Sequence, residues 1–94
     1  MLENIDVMTV NYRHIENLQI LSFNELPIER QILNFDEDTQ PIELVVKVLK
    51  LVELALLDPK RVQEFDTLTP NELADFYLSW VKSSEELEMQ KEND

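Results

Sequence analysis

Residues 41–57 read PIELVVKVLKLVELALL, the only long, densely apolar run in the chain. At about 100° per residue, Glu43, Lys47 and Lys50 fall on one narrow stripe of a helix, with Glu53 at its edge and Leu54 interrupting it. Nearly every other position is Ile, Val, Leu or Ala. A helix apolar over most of its circumference is packed on several sides. The rest of the chain, or another chain, must therefore cover it. Pro41 suits a first helical turn, where its missing N–H is not needed. Gln40 or Thr39 is placed to cap it, and Glu43 complements the helix dipole. Asp58-Pro59 stops it, because the residue before a proline is biased away from helical angles.

Working outward, the C-terminal side is the more legible. Asp58 caps a short helix over 59–65, with Val62 and Phe65 facing inward and Lys60, Arg61 and Glu64 outward. The stretch Leu68-Thr69-Pro70-Asn71-Glu72-Leu73 is a sharp helix start. Thr69 is the N-cap, Pro70 the first helical residue and Glu72 the reciprocal partner of a capping box, while Leu68 and Leu73 hold the staple positions. The helix that follows carries Leu73, Phe76, Tyr77 and Trp80 on one face and Glu72, Asp75, Ser79 and Lys82 on the other. Its expected end is near Ser83. Residues 85–94 are read as an acidic, disordered tail, although Leu87 continues the apolar face and offers the helix a frayed extension.

The N-terminal side is ambiguous. Ile5, Val7 and Thr9 alternate with polar residues as in a short strand. Ile15, Leu18 and Leu21 have helical spacing, yet Leu18, Ile20 and Ser22 alternate as well, and periodicity alone does not decide a run this short. The reading adopted is a helix over 12–21, followed by a second over 27–34 in which Pro27 opens the first turn and Ile28 and Ile32 share a face. The expectation is therefore an all-α, small helical bundle: helices at about 12–21, 27–34, 41–57 and 70–83, a short turn of helix at 59–65, and one domain spanning 1–84. A second methionine, Met8, leaves two candidate starts.

Composition narrows the function classes. The chain has 94 residues, no cysteine and no glycine. Disulfides, thiolate metal sites and thiol nucleophiles are excluded, as are glycine-rich phosphate loops and dinucleotide turns. No apolar run reaches the roughly 20 residues of a membrane span, and the acidic N-terminus lacks a signal-peptide pattern. A cytoplasmic protein is expected. The net charge of −12 is uneven. Residues 1–40 hold two basic and eight acidic groups, 41–84 five and seven, and 85–94 one and five. Acidity lies in the flanks, which argues against a nucleic-acid partner.

No residue announces chemistry. His14 is the sole histidine and lacks neighbours at metal-ligand spacing, so the plain reading is a surface side chain. Asp36-Glu37-Asp38 lacks the glycine and distal Glu of a calcium loop, and contiguous carboxylates do not flank a glycosidic bond; Glu85, Glu86 and Glu88 are likewise read as solvated charge. No catalytic residue, metal or cofactor is expected, and the chain is read as a non-enzyme. Phe76, Tyr77 and Trp80 form an aromatic stripe with two readings, packing on the 41–57 helix or anchoring a partner. Val46, Leu54 and Leu57, on or near the polar stripe of the central helix, raise the same question. These six are the candidate partner-binding residues, with a protein client or a second copy of the chain as partner.

The segment Leu56–Ser84 carries a "DP…F" element (Asp58, Pro59, Phe65), an "F-D-x-L-T-P-x-x-L" helix start (Phe65, Asp66, Leu68, Thr69, Pro70, Leu73) and a Trp80…Ser83-Ser84 ending. In these features, over about a third of the chain, it resembles the C-terminal part of tail assembly chaperones of long-tailed, siphovirus-type bacteriophages. Residues 1–40 match nothing comparable. The resemblance implies a viral, non-enzymatic assembly factor acting in the host cytoplasm, which masks apolar helical segments of the tape measure protein while tail tube subunits polymerise around it. The competing reading is a small acidic inhibitor or DNA mimic that presents carboxylates to the basic groove of a nucleic-acid enzyme. The near balance of charge over 41–84 counts against that alternative.

Overall fold

The computed structural model describes residues 6–27 and 40–92, with side chains described as far as Gln90. Its described elements, in order, are strands β1 (Val7–Tyr12) and β2 (Ile15–Leu21), a 3₁₀ turn (Phe23–Glu25), helix α1 (Pro41–Ala55), a second 3₁₀ segment (Pro59–Phe65) and helix α2 (Pro70–Glu92). The architecture is α+β, which overturns the all-α bundle.

Residues 12–21 do not form the expected helix; they end β1 and make up the turn and β2. β1 and β2 pair antiparallel, with Met8 opposite Ile20, Val10 opposite Leu18 and Tyr12 opposite Ile15. The register slips between Val10 and Tyr12, so Asn11 faces both Glu16 and Asn17 as a β-bulge. A bulge inserts one extra residue and shifts the inward phase by one. Ile15 and Leu18 therefore both point to the core, fully buried, although three residues apart. In a sequence that spacing imitates a helix; here it marks the bulge. Asn17 adopts a left-handed φ of 53°, which asparagine tolerates better than most residues, and its N–H donates to Asn11 Oδ1 at 2.9 Å. Arg13, with φ 54°, turns the hairpin. The expected helix at 27–34 falls, apart from Pro27, outside the described residues; Pro27 itself is irregular.

Helix α1 starts at Pro41 with Gln40 as N-cap, though no side chain caps it. It ends at Ala55, two residues short of the sequence-based boundary. Leu56 N–H still bonds Val52 O at 2.9 Å. Leu56 then bridges antiparallel to Ile20, and Leu57 N–H donates to Gln19 O at 3.3 Å. The chain leaving α1 thus hydrogen-bonds to the edge of β2 not used by β1.

The expected short helix at 59–65 is present as a 3₁₀ segment, with the Asp58 side chain accepting from Lys60 N–H. The Thr69–Glu72 capping box forms both ways: Thr69 N–H donates to Glu72 Oε1 at 2.8 Å, and Glu72 N–H to Thr69 Oγ1 at 3.2 Å. Leu68 and Leu73 are both buried at the staple. α2 does not stop at Ser83. It continues through the stretch read as a disordered tail, to Glu92, a helix of about 34 Å.

The core lies between one face of the hairpin, α1 and the first half of α2. Phe65, Phe76 and Trp80 are its largest fully buried side chains. Phe76 meets Phe65 edge-on at 4.9 Å and Tyr12 at 5.6 Å, and Trp80 meets Phe23 at 5.1 Å. Such T-shaped contacts align ring edges with ring faces. Buried polar groups are partnered: Trp80 Nε1–H donates to Leu21 O at 3.0 Å. Ser84 Oγ accepts from Phe23 N–H at 2.8 Å and is 2.8 Å from Trp80 O. Among the described residues no buried side-chain N or O lacks a hydrogen-bond partner.

Candidate protein-binding surface

The candidate partner residues divide into two groups. Phe76 and Trp80 are 0% and 1% exposed and belong to the core, so packing takes this pair. Tyr77 is half-buried, edge-on to Phe23 at 5.7 Å, and its burial pushes the phenol pKa above the usual tyrosine value. The aromatic stripe is thus structural over most of its width. Val46, Leu54 and Leu57 face outward, with roughly half of each surface accessible.

The structure adds Ile42, the most exposed large apolar side chain of the described residues at 71%. Ile42, Val46 and Leu54 lie on the outward side of α1 and Leu57 just beyond its end. Ile42, Glu43, Val46, Lys47 and Lys50 line an open groove of about 310 Å³ along the helix. Its walls are largely hydrocarbon, because lysine stems lie along apolar surface while their ammonium groups stay in water. The charged residues along this face, Glu43, Lys47, Lys50 and Glu53, balance. The surface is therefore apolar and locally neutral on a chain whose net charge is −12. Periodicity could not single out Ile42. In an almost wholly apolar helix, only the tertiary arrangement determines which side is covered.

Leu78 and Met89 are exposed on α2, at 64% and 61%. Leu78 sits within the polar arc formed by Glu85, Lys82, Asp75 and Ser79. An apolar residue inside a polar arc is a signal available from the sequence.

A second polar constellation surrounds the hairpin tip. Arg61 donates from Nη1 to Asn17 O at 2.9 Å and from Nη2 to Glu16 O at 2.7 Å, and it pairs with Glu64 at 2.6 Å. Arg13 pairs with Glu72 at 2.9 Å. Tyr12 OH donates to Asp75 Oδ2 at 2.9 Å and lies 3.1 Å from Glu72 O. The Arg61 hydrogen bond holds the Glu64 carboxyl below its usual pKa. The Thr69 N–H, then Arg13, do the same for Glu72. The contacts of Arg61, Arg13 and Tyr12 fasten the hairpin to the segment 58–75.

His14 Nε2 lies 2.8 Å from Glu64 O and 3.0 Å from Thr67 Oγ1. A carbonyl only accepts, so Nε2 carries the proton. In that state it is not a base toward the Thr67 hydroxyl, and the pair is a positional contact. Among the described residues no group of three His, Cys, Asp or Glu side chains could hold a metal ion. No described helix is long and apolar enough to cross a membrane.

The residues carrying the tail-chaperone resemblance mostly cap and pack. Asp58 and Thr69 cap; Phe65, Leu68, Leu73, Trp80 and Ser84 are buried. No protein-family model, curated protein or solved structure matches the chain.

Proposed function

We propose that this chain is a non-enzymatic, protein-binding assembly factor, a tail assembly chaperone of the long-tailed phage type. In this reading it acts in the host cytoplasm by masking apolar helical segments of a tape measure protein. The observation that carries the reading is the outward side of α1, where Ile42, Val46, Leu54 and Leu57 meet solvent beside a charge-balanced set of Glu and Lys side chains. An amphipathic client helix presents i, i+3, i+4 and i+7 anchors, and helix-in-groove recognition needs an apolar strip of this kind. The acidic remainder of the molecule keeps a protein with such a strip soluble. Phe76 and Trp80, buried in the core, are not part of this surface.

The test is co-expression with a long helical protein encoded in a neighbouring reading frame. Val46→Glu and Leu54→Glu substitute solvent-facing positions, so both variants should keep the parent's circular dichroism and melting curve while losing the complex. Folded double variants that still hold the client at parental affinity would remove α1 from the interface. A complex that dissolves in moderate salt while tolerating Leu54→Glu would point instead to carboxylate-driven binding of a basic groove.

A further inference from the structure

On α2 the side turned away from the core carries a second stripe. Leu78, Lys82, Glu85 and Met89 recur at spacings of four, three and four. They fall within about 60° of one another around the helix, opposite Phe76 and Trp80. Leu78 and Met89 are the two largely exposed apolar side chains of α2, and Lys82 and Glu85 are exposed between them. The ion pairs among the described residues, Arg13–Glu72 and Arg61–Glu64, involve neither. The 4-3-4 spacing is that of alternating seam positions in a coiled coil.

From this stripe we infer that α2 docks against α2 of a second copy of the chain, antiparallel about a two-fold axis midway between Ser83 and Ser84. In that register Leu78 lies level with Met89 of the other copy and Lys82 with Glu85, each pair occurring twice by symmetry. An isologous contact must be self-complementary in this way. The charges also fix the direction. Antiparallel packing places Glu86 level with Val81 and Glu88 level with Ser79 of the other copy, and a carboxylate meets a carboxylate only at the outer ends of the seam, where Asp75 lies level with Glu92. Parallel packing in register would set Lys82 on Lys82 and Glu85 on Glu85, which repel. The same residue order occurs on α1 at Val46, Lys50, Glu53 and Leu57. There the helix ends at Ala55 and the Leu57 backbone bonds to Gln19, so the stripe loses helical register before its fourth member. The contact is independent of the proposed client surface, because it uses the other helix.

The absence of cysteine makes the register directly readable. Leu78→Cys chains mixed with Met89→Cys chains should oxidise to a mixed disulfide dimer, while neither variant cross-links alone. Sedimentation equilibrium should show a reversible monomer–dimer step in the parent protein. Lys82→Glu should weaken it by about tenfold or more, and Lys82→Glu with Glu85→Lys should restore it. All four positions face solvent, so circular dichroism should be unchanged in each variant, and client binding through α1 should persist. Cross-linking of Leu78→Cys or Met89→Cys with itself would mean parallel packing and overturn the proposal. So would a parent that stays monomeric across the concentration range, or a double charge swap that fails to restore association.

Discussion

The hairpin Val7–Leu21 and the helix start at Thr69–Trp80 are in contact in the folded protein, but they are specified in different ways. The helix start is a local device. Thr69, Pro70, Glu72, Leu68 and Leu73 lie within six consecutive residues and satisfy one another whatever the rest of the chain does. The hairpin is a tertiary device. Its inward residues alternate only once the Asn11 bulge is allowed for, and its tip is held by Arg61, Glu72 and Asp75, which lie more than forty residues away. Periodicity reads the first kind of element well and misreads the second, because a three-residue spacing across a bulge looks like a turn of helix.

The largest expected effect tests whether the two regions share one core. Trp80→Ala removes the ring against Phe23 and Phe76 and the hydrogen bond to Leu21 O. It should cost about 3–5 kcal/mol by denaturant unfolding, with hairpin and helix amides losing hydrogen-exchange protection together. Loss confined to the helix would mean that the hairpin folds independently of it.

A smaller effect addresses the bulge. Asn17 holds a left-handed backbone angle, so Asn17→Ala should cost about 1 kcal/mol, while Asn17→Gly should be close to neutral in the same melts. Equal costs for Ala and Gly would show that the side chain, and not the backbone angle, is what this position requires.

The smallest effect lies at Glu72, where the two regions meet: it caps α2 and pairs with Arg13. Its folded pKa is depressed, first by the Thr69 N–H and then by Arg13. A depressed carboxylate contributes stability above its unfolded value, near 4.5, and that contribution is lost as pH falls through the folded value. Glu72→Gln should therefore flatten the acid limb of the stability profile below about pH 4.5 and leave its shape near neutrality unchanged. An acid limb identical to the parent's would show that the Glu72 charge adds nothing to folding.

The candidate site was legible in part for the same reason. Val46, Leu54 and Leu57 stood out because they lay on or near the polar stripe of the central helix, and they do face outward. Phe76 and Trp80 could not be assigned to core or surface from their spacing, since a packed stripe and an exposed one have the same period. Ile42 was hidden by the uniformity of its neighbours. Leu78 lay inside a polar arc, and Met89 lay in a stretch whose charge suggested disorder but which continues α2.

By itself the sequence determined the α1 start at Pro41, the Asp58-Pro59 break, the capping box and the amphipathic division of α2. Each depends on contacts within a few residues and on the fixed geometry of proline, caps and the helical repeat. Only the tertiary structure decided that 7–21 is a hairpin, that Leu56 and Leu57 leave the helix to bond β2, and which side of α1 stays uncovered. Those outcomes turn on backbone hydrogen bonds and buried surface shared between segments distant in sequence, and no local pattern encodes which segments will meet.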